Sequence, residues 1–102
     1  MPEQHFFFIV PVYNEEQNIE LVLTGIRDSM RRMNHDSYKV IVVDDGSTDS
    51  TADRARRMAR DIPVRVVSHP VNRGVGQAFR TGFQTVLTLC HDEDLIVTME
   101  GD

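Results

Sequence analysis

Residues 38–51 read YKVIVVDDGSTDST. The apolar run Val40 to Val43 is typical of a β-strand that is covered on both faces of a sheet. It ends in two acids and a glycine, and the residues that follow are of the types that cap helix N-termini. A buried strand that passes through a short polar turn into a helix is the repeating unit of an α/β fold.

The same unit recurs along the chain. We predict four strands: Phe6–Val10, Tyr38–Val43, Ile62–Val67 and Leu95–Met99. Between them the apolar spacing predicts three helices: Ile19–Met33, a second one after Thr51, and Gln77–Cys90 with Phe79, Phe83, Val86 and Leu87 facing inward. Helical crossovers join parallel strands, so we predict one α/β domain, residues 1–102, with a Rossmann-like parallel sheet and alternating helices.

Proline and glycine refine this scheme at two positions. Pro63 lies near the start of the third predicted strand, which indicates that the strand begins late or lies at an edge of the sheet. Gly82 lies inside the third predicted helix and indicates close packing or a weak turn at that point.

The composition excludes several classes of protein. The net charge of −5 argues against nucleic acid as the main partner, because binding phosphates requires a basic face. The single cysteine, Cys90, excludes an internal disulfide and fits the cytoplasm. No apolar run approaches the roughly 18–20 residues of a membrane span, and the Phe6–Val12 run is too short for a signal peptide.

Polar clusters follow three of the predicted strands: Pro11–Glu16, Asp44–Asp49 and Glu100–Asp102. In open α/β sheets, ligands bind in the crevice outside the carboxyl ends of the strands. We therefore expect the three clusters to face one crevice, and this convergence is more informative than any single motif.

The first cluster has residues suited to a nucleoside. Pro11 stiffens the strand exit, Tyr13 offers a flat face for a nucleobase, and Glu15 offers an acceptor for ribose or base donors. The alternative is an ordinary helix start, where the helix dipole favours acids.

The second cluster contains adjacent acids. Neighbouring residues on a strand point to opposite faces, so Asp44 and Asp45 are expected to differ in role. One is expected to face the nucleotide and the other to brace the loop. Asp49 and Ser50 are plausible helix N-caps, a role that requires no ligand.

The third cluster could hold a metal. Glu100 and Asp102 are two residues apart, so in extended backbone both side chains lie on one side and can approach one Mg²⁺ or Mn²⁺. The alternative is a solvated chain segment. Separately, Arg73 in the loop Asn72–Gly76 could meet a diphosphate, or the loop could simply need a positive φ. The histidines His5, His35 and His69 lie apart and predict no catalytic arrangement.

Four blocks of the sequence together resemble the family 2 glycosyltransferases of GT-A fold: residues 9–19, 42–51, 72–76 and 99–102. The Tyr-Asn-Glu-Glu block at 13–16 and the Asp-Asp-Gly-Ser-Thr-Asp block at 44–49 most resemble the dolichol- or polyprenyl-phosphate mannosyltransferase-like branch. The fold implied is the nucleotide-binding half of a GT-A domain. The whole chain would then be the nucleotide-sugar-binding N-terminal portion, cut at the metal motif.

The resemblance implies transfer of a sugar from a nucleoside-diphosphate sugar, of the GDP-mannose or UDP-glucose type, to an acceptor such as polyprenyl phosphate. Mg²⁺ or Mn²⁺ would bridge the diphosphate. The residues implied to line the nucleoside pocket are Pro11, Tyr13, Glu15, Val43 and Asp45. Glu100, Gly101 and Asp102 match the family's Asp-x-Asp, with the two acids meeting the metal and diphosphate. Glu100 replaces the usual first Asp, and under this resemblance its extra methylene would change the metal distance or make that contact water-mediated.

This reading predicts a chain that binds a donor but does not turn over by itself, because the family's acceptor-side base lies further downstream. The longer protein would act at the cytoplasmic face of the membrane. A second hypothesis is a non-catalytic nucleotide-binding or interaction module, with a homodimer formed through the exposed sheet edge. A third, a phosphoacceptor or phosphatase-like domain using Asp44 and Asp45, lacks the aspartate required after the first strand, where Pro11 and Tyr13 stand.

Overall fold

The computed structural model describes residues 4–91 and 94–99. Within them, strands and helices alternate as the sequence predicts. In chain order they are β1 (Phe6–Val12), α1 (Ile19–Arg32), β2 (Tyr38–Asp44), α2 (Thr51–Arg57), β3 (Val64–Ser68), α3 (Val75–Leu87) and β4 (Leu95–Thr98). A single 3-10 turn, Met58–Arg60, follows α2.

The strands form a parallel sheet in the order β3-β2-β1-β4. The chain therefore moves outward from β1 through β2 to β3 and then returns to the other side of β1 to form β4. The strand order reverses between β1 and β4, and such a reversal is the place where open α/β sheets bind ligands. The carboxyl end of β1 is thus the expected centre of a site.

Helices cover both faces of the sheet. On one face, α1 and α2 pack on Phe8, Val10 and Val12 of β1 and on alternate residues of β2. On the other face, α3 packs on the intervening residues, Phe7 and Ile9 of β1 and the β2 residues between. The strand residues alternate between the two cores, as expected for a doubly covered sheet.

Gly82 allows α3 to lie directly on the sheet. A Cβ built at this position would lie only 2.4 Å from Cγ2 of Ile9 and 3.4 Å from Cγ2 of Val43. The glycine is therefore a close-packing position, which was one of the two readings of the sequence. Ala78, Gly82 and Val86, at intervals of four residues, form the buried stripe of α3.

This stripe corrects the predicted inner face of α3. Phe83 is 39% exposed and Leu87 is 69% exposed, although both were expected to point inward. Each follows a stripe residue by one position, which rotates it about 100° around the helix axis. The short side chains of the stripe bring α3 close to the sheet and leave its larger apolar residues outside.

The element boundaries also differ slightly from those expected. Helix α3 begins at Val75 and ends at Leu87, two or three residues earlier at each end than predicted. Strand β3 begins at Val64, directly after Pro63, and is an edge strand, so both consequences expected of that proline are observed. Among residues 4–91 and 94–99, no helix has the length and apolar character needed to cross a membrane.

Candidate functional site

A cavity of about 150 Å³ lies at the carboxyl ends of β1 and β2, beside the start of α3. Its walls are formed by Pro11, Val12, Tyr13, Asp45, Asn72, Gly74, Val75 and Ala78. Ligand sites for drug-sized molecules usually enclose about 300–1,000 Å³. The cavity therefore has room for a planar ring, and a longer ligand would extend out of it.

Three of the predicted nucleoside-binding residues line this cavity together: Pro11, Tyr13 and Asp45. Pro11 is the residue before the last of β1 and is buried. Tyr13 follows the strand and is 46% exposed, so part of its ring is open to solvent. The amide of Asp45 donates to the carbonyl of Val12 at 2.9 Å, which fixes the two strand exits beside each other.

Asp45 carries the only buried carboxylate among the described cavity-lining residues, with the side chain 5% exposed. Its Oδ1 lies 2.8 Å from Nδ1 of His69 and accepts the amide of Arg73 at 2.9 Å. Its Oδ2 accepts the amide of Gly74 at 2.9 Å. Burial alone would raise the pKa of Asp45, but these hydrogen bonds outweigh it and hold the pKa below its ordinary value. Asp45 is therefore ionised at neutral pH and acts only as an acceptor.

Two glycines with positive φ shape the loop around Asp45. Gly74 has a φ of 97° and precedes α3, and its amide is one of the two that reach the carboxylate. Gly46 has a φ of 76°, and a Cβ there would lie 2.4 Å from the backbone of Val71 and of Asn72. The turn after β2 and the loop before α3 thus touch through backbone atoms, which only glycine permits.

Asp44 serves a different role from its neighbour. It is 5% exposed, and its Oδ1 accepts the amide of Ser47 at 3.2 Å, which closes the turn after β2. The alternation of a strand predicts such a division, in which one acid braces a loop while the other faces the cavity.

Residues 14–16 and 47–51 are bonded to each other and are called here the interlocked loops. Asn14, with a φ of 51°, donates its amide to Oγ of Ser47 at 2.8 Å, and its own Oδ1 accepts the amide of Thr48 at 2.8 Å. The amide of Glu15 donates to Oγ1 of Thr51 at 2.9 Å. Side chains of one loop therefore satisfy backbone amides of the other.

The acids of the interlocked loops take part in the same bonding. Asp49 Oδ2 accepts the amide of Glu16 at 3.3 Å, and Glu16 Oε2 accepts the amide of Ser50 at 3.1 Å. Asp49 Oδ1 accepts the amide of Thr51 at 3.0 Å and also its hydroxyl. Asp49 thus accepts hydrogen bonds from the first residue of α2, although the N-cap position belongs to Ser50, whose side chain makes no capping bond.

Two other predicted nucleoside-pocket residues are not among the cavity-lining residues in the described part of the chain. Val43 is fully buried and belongs to the core beneath α3. The carboxylate of Glu15 accepts a hydrogen bond from Nδ2 of Asn18 at 3.2 Å. The structure therefore places Val43 in the core and not in the cavity wall.

The proposed metal ligands Glu100 and Asp102, with Gly101, lie outside the described residues. Strand β4 leads toward them, and the amide of Met99 donates to the carbonyl of Ile9 at 2.9 Å. Within residues 4–91 and 94–99, no group of three His, Cys, Asp or Glu side chains is placed to hold a metal ion.

Sequence reasoning missed one contributor to the site, the contact of His69 with Asp45 and Thr81. The two ring nitrogens of His69 lie 2.8 Å from Oδ1 of Asp45 and 2.7 Å from Oγ1 of Thr81. These partners are 24 and 12 residues away in the sequence, so no local pattern could reveal them. A lone histidine after an edge strand is the only signal in the sequence.

Comparison with known proteins identifies a family profile that matches residues 7–102, and its description is Glycosyl transferase family 2. The dolichol-phosphate mannosyltransferase of Pyrococcus furiosus is 31% identical over 94 residues, which cover 92% of this chain and 24% of that protein. The undecaprenyl-phosphate 4-deoxy-4-formamido-L-arabinose transferase of Pseudomonas fluorescens is 32% identical, covering 99% of this chain and 29% of that protein.

Two solved structures share the fold. The mannosyltransferase PcManGT from Pyrobaculum calidifontis, solved in complex with GDP-Man and Mn²⁺, superimposes with a TM-score of 0.68 at 32% identity, over 82% of this chain and 25% of that one. TarS of S. aureus superimposes with a TM-score of 0.73 at 25% identity, over 97% of this chain and 28% of that one. The chain thus spans between a quarter and a third of the length of most of these proteins.

Proposed function

Because the chain belongs to glycosyl transferase family 2, we propose that it is the donor-binding portion of an enzyme that transfers a sugar from a nucleoside-diphosphate sugar. The parallel sheet with alternating helices matches the GT-A structures named above, as the sequence predicted, and this match supports its assignment as the nucleotide-binding half of that fold. The curated relatives named above are sugar transferases, and one of the similar structures holds GDP-Man.

The observation that carries the proposal is the ionised, buried carboxylate of Asp45 in the wall of a ring-sized cavity. A group in such a position that can only accept hydrogen bonds recognises a hydrogen-bond donor of the ligand, such as an N–H of a nucleobase or a ribose hydroxyl. Tyr13, with its partly exposed ring at the mouth, offers a stacking surface for the base. Together these residues suit the nucleoside end of a donor of the GDP-mannose or UDP-glucose type.

We assign the divalent cation, Mg²⁺ or Mn²⁺, to Glu100 and Asp102. Carboxylate oxygens are the ligands that these hard cations prefer, and a cation bound there supplies neutralisation of the charge on a departing diphosphate. The Mn²⁺ in the PcManGT complex supports the use of a divalent cation. The contribution of the described residues is to bind and orient the nucleoside beside that segment.

We propose polyprenyl phosphate as the acceptor of the longer protein and the cytoplasmic membrane face as its place of action. The names of the two curated relatives, which contain dolichol phosphate and undecaprenyl phosphate, support this class of acceptor. This chain covers only the portion proposed to bind the donor, and we expect no sugar transfer from it alone.

Calorimetric titration tests the proposal. The chain is titrated with GDP, UDP, GDP-mannose and UDP-glucose, each with and without Mn²⁺. We expect one nucleotide series to bind more tightly in the presence of Mn²⁺ and the Asp102→Ala variant to lose that dependence. Asp45→Asn is expected to weaken binding both with and without the metal, because it replaces an acceptor-only group with an amide.

A matched control is Asp61→Asn. Asp61 is an exposed acid just before β3, so it lies at the amino-terminal end of that strand, whereas the cavity lies at the carboxyl ends of the strands. This substitution changes the net charge by the same amount and should leave binding unaltered. Equal losses from Asp45→Asn and Asp61→Asn would show that overall charge, not the cavity, governs the affinity. Binding without any sugar transfer by the longer protein would favour the alternative of a non-catalytic nucleotide-binding module.

A further inference from the structure

His69 is buried, with 8% of its surface exposed, and connects the cavity wall to helix α3. Its Nδ1 contacts Asp45 at 2.8 Å and its Nε2 contacts Thr81 of α3 at 2.7 Å. Its backbone amide donates to the carbonyl of Asp44 at 2.8 Å. The proposed function uses Asp45 but gives His69 no part, although nothing else holds that carboxylate from a side chain among the described residues.

The chemistry of Asp45 determines the tautomer of His69. An ionised carboxylate has no proton to donate, so Nδ1 must carry the hydrogen of this contact. In the neutral ring Nε2 is then an acceptor, and the hydroxyl of Thr81 donates to it. Both ring nitrogens therefore have hydrogen-bond partners, which fix the orientation of the ring. The hydrogen bond made by one nitrogen decides whether the other nitrogen donates or accepts.

The same bonds restrict how a ligand can meet Asp45. A carboxylate offers about four acceptor positions, two on each oxygen. His69 and Arg73 occupy both positions of Oδ1, and Gly74 occupies one position of Oδ2. The remaining position on Oδ2 has no hydrogen-bond partner among the described residues, and Asp45 lines the cavity. A ligand can therefore donate one hydrogen bond to this side chain, and a paired donation to both oxygens is blocked.

Resting on the proposed function, we propose that His69 is a positioning residue that presents a single acceptor position of Asp45 to the nucleoside. The imidazole ring fixes the carboxylate plane, and Thr81 fixes the ring. The carboxylate plane in turn orders the loop that donates the amides of Arg73 and Gly74. Removal of the Nδ1 donor should free the carboxylate to rotate and should reopen a position on Oδ1.

Three variants separate positioning from simple packing. His69→Leu fills the buried space without a donor. His69→Asn keeps a donor on the atom that corresponds to Nδ1 and loses the contact with Thr81. Thr81→Val removes that contact alone. The matched control is His91→Leu, which makes the same change at an exposed histidine.

Each variant is titrated with UDP and with GDP in the presence of Mn²⁺. We expect His69→Leu to bind the preferred nucleotide roughly tenfold more weakly than wild type, as the loss of one charge-assisted hydrogen bond implies. His69→Asn should recover most of the affinity and His91→Leu should match wild type. A folded His69→Leu variant with wild-type affinity would overturn the proposal.

Nuclear magnetic resonance provides a readout that needs no ligand. We expect wild-type His69 to carry its proton on Nδ1, and the amide signals of Arg73 and Gly74 to differ between His69→Leu and His69→Asn. Neither replacement has an aromatic ring, so this difference reports the hydrogen bond and not a ring current. If wild type binds neither nucleotide, the proposed function fails, and the amide signals alone still decide the role of His69: identical signals in the two variants would refute it.

Discussion

Alanine substitution at Gly82 tests the packing of α3 on the sheet. The new Cβ would lie 2.4 Å from Cγ2 of Ile9, a contact that real side chains do not make. Ile9 is fully buried in the central strand β1 and is enclosed by the core on that face of the sheet, so it has little room to move. The helix must therefore shift outward or the isoleucine must leave its rotamer.

The expected magnitude follows from two opposing effects. Overpacking of a core costs about 1–3 kcal/mol. Replacing glycine by alanine inside a helix gains about 1 kcal/mol through helix propensity. Gly25, in the middle of α1, is exposed and has no atom within 4 Å of a built Cβ, so Gly25→Ala should show the gain alone. The two variants should thus differ in unfolding free energy by about 1–3 kcal/mol, the overpacking cost.

Urea denaturation, followed by circular dichroism, measures both variants against wild type at one temperature. Gly25→Ala should raise the urea midpoint, and Gly82→Ala should lower it or leave it unchanged. The slope of free energy against urea should stay the same in both variants. An equal increase in stability in the two variants would refute the argument, because it would show that α3 does not lie on Ile9 at the distance described.

Three further perturbations probe the loops around the cavity. Gly46→Ala should lower the unfolding free energy in urea denaturation. The φ of 76° alone costs about 1–3 kcal/mol for alanine, and the clash with the backbone of Asn72 adds to that cost. Thr51→Val should cost about 1–3 kcal/mol in the same assay, because the amide of Glu15 loses its acceptor. The third concerns pH. Because the pKa of Asp45 is lowered in the folded chain, its contribution to stability is present above the ordinary Asp pKa of about 3.9 and is lost as the pH falls toward the folded value. Denaturation midpoints between pH 5 and pH 3 should thus fall less steeply in Asp45→Asn than in wild type, and equal slopes would contradict the assignment.

The fold could be predicted because each element carries a strong local signal. Strands β1 and β2 are short, continuous apolar runs that end in polar turns. Pro63 near the start of the third strand correctly indicated an edge strand. The inner face of α3 could not be predicted in the same way. Phe83 and Leu87 are the larger apolar residues, but the face is decided by how closely Gly82 approaches β1, which depends on a partner far away in the sequence.

The candidate site shows the same division. The convergence of the first two polar clusters followed from the topology, because parallel strands end at one edge of the sheet. The hydrogen bonds between the residues at that edge could not be predicted from the topology. His69 joins Asp45 and Thr81 only after three elements have packed, and neither spacing nor residue type indicates it. The metal segment at Glu100 and Asp102 stays a prediction from the sequence.

The interlocked loops have a consequence for motion. The amides of Asn14, Glu15 and Glu16 lie outside every strand and helix, yet each donates to a side chain of the opposite loop, 33 to 36 residues away. An amide of this kind can exchange its hydrogen with solvent only when both loops separate. The two loops should then exchange as one cooperative unit, with a shared rate, whereas independent loops at a cavity mouth would exchange at separate and faster rates. The two loops, which follow the cavity-lining residues Tyr13 and Asp45 in the chain, would in that case open as a single body.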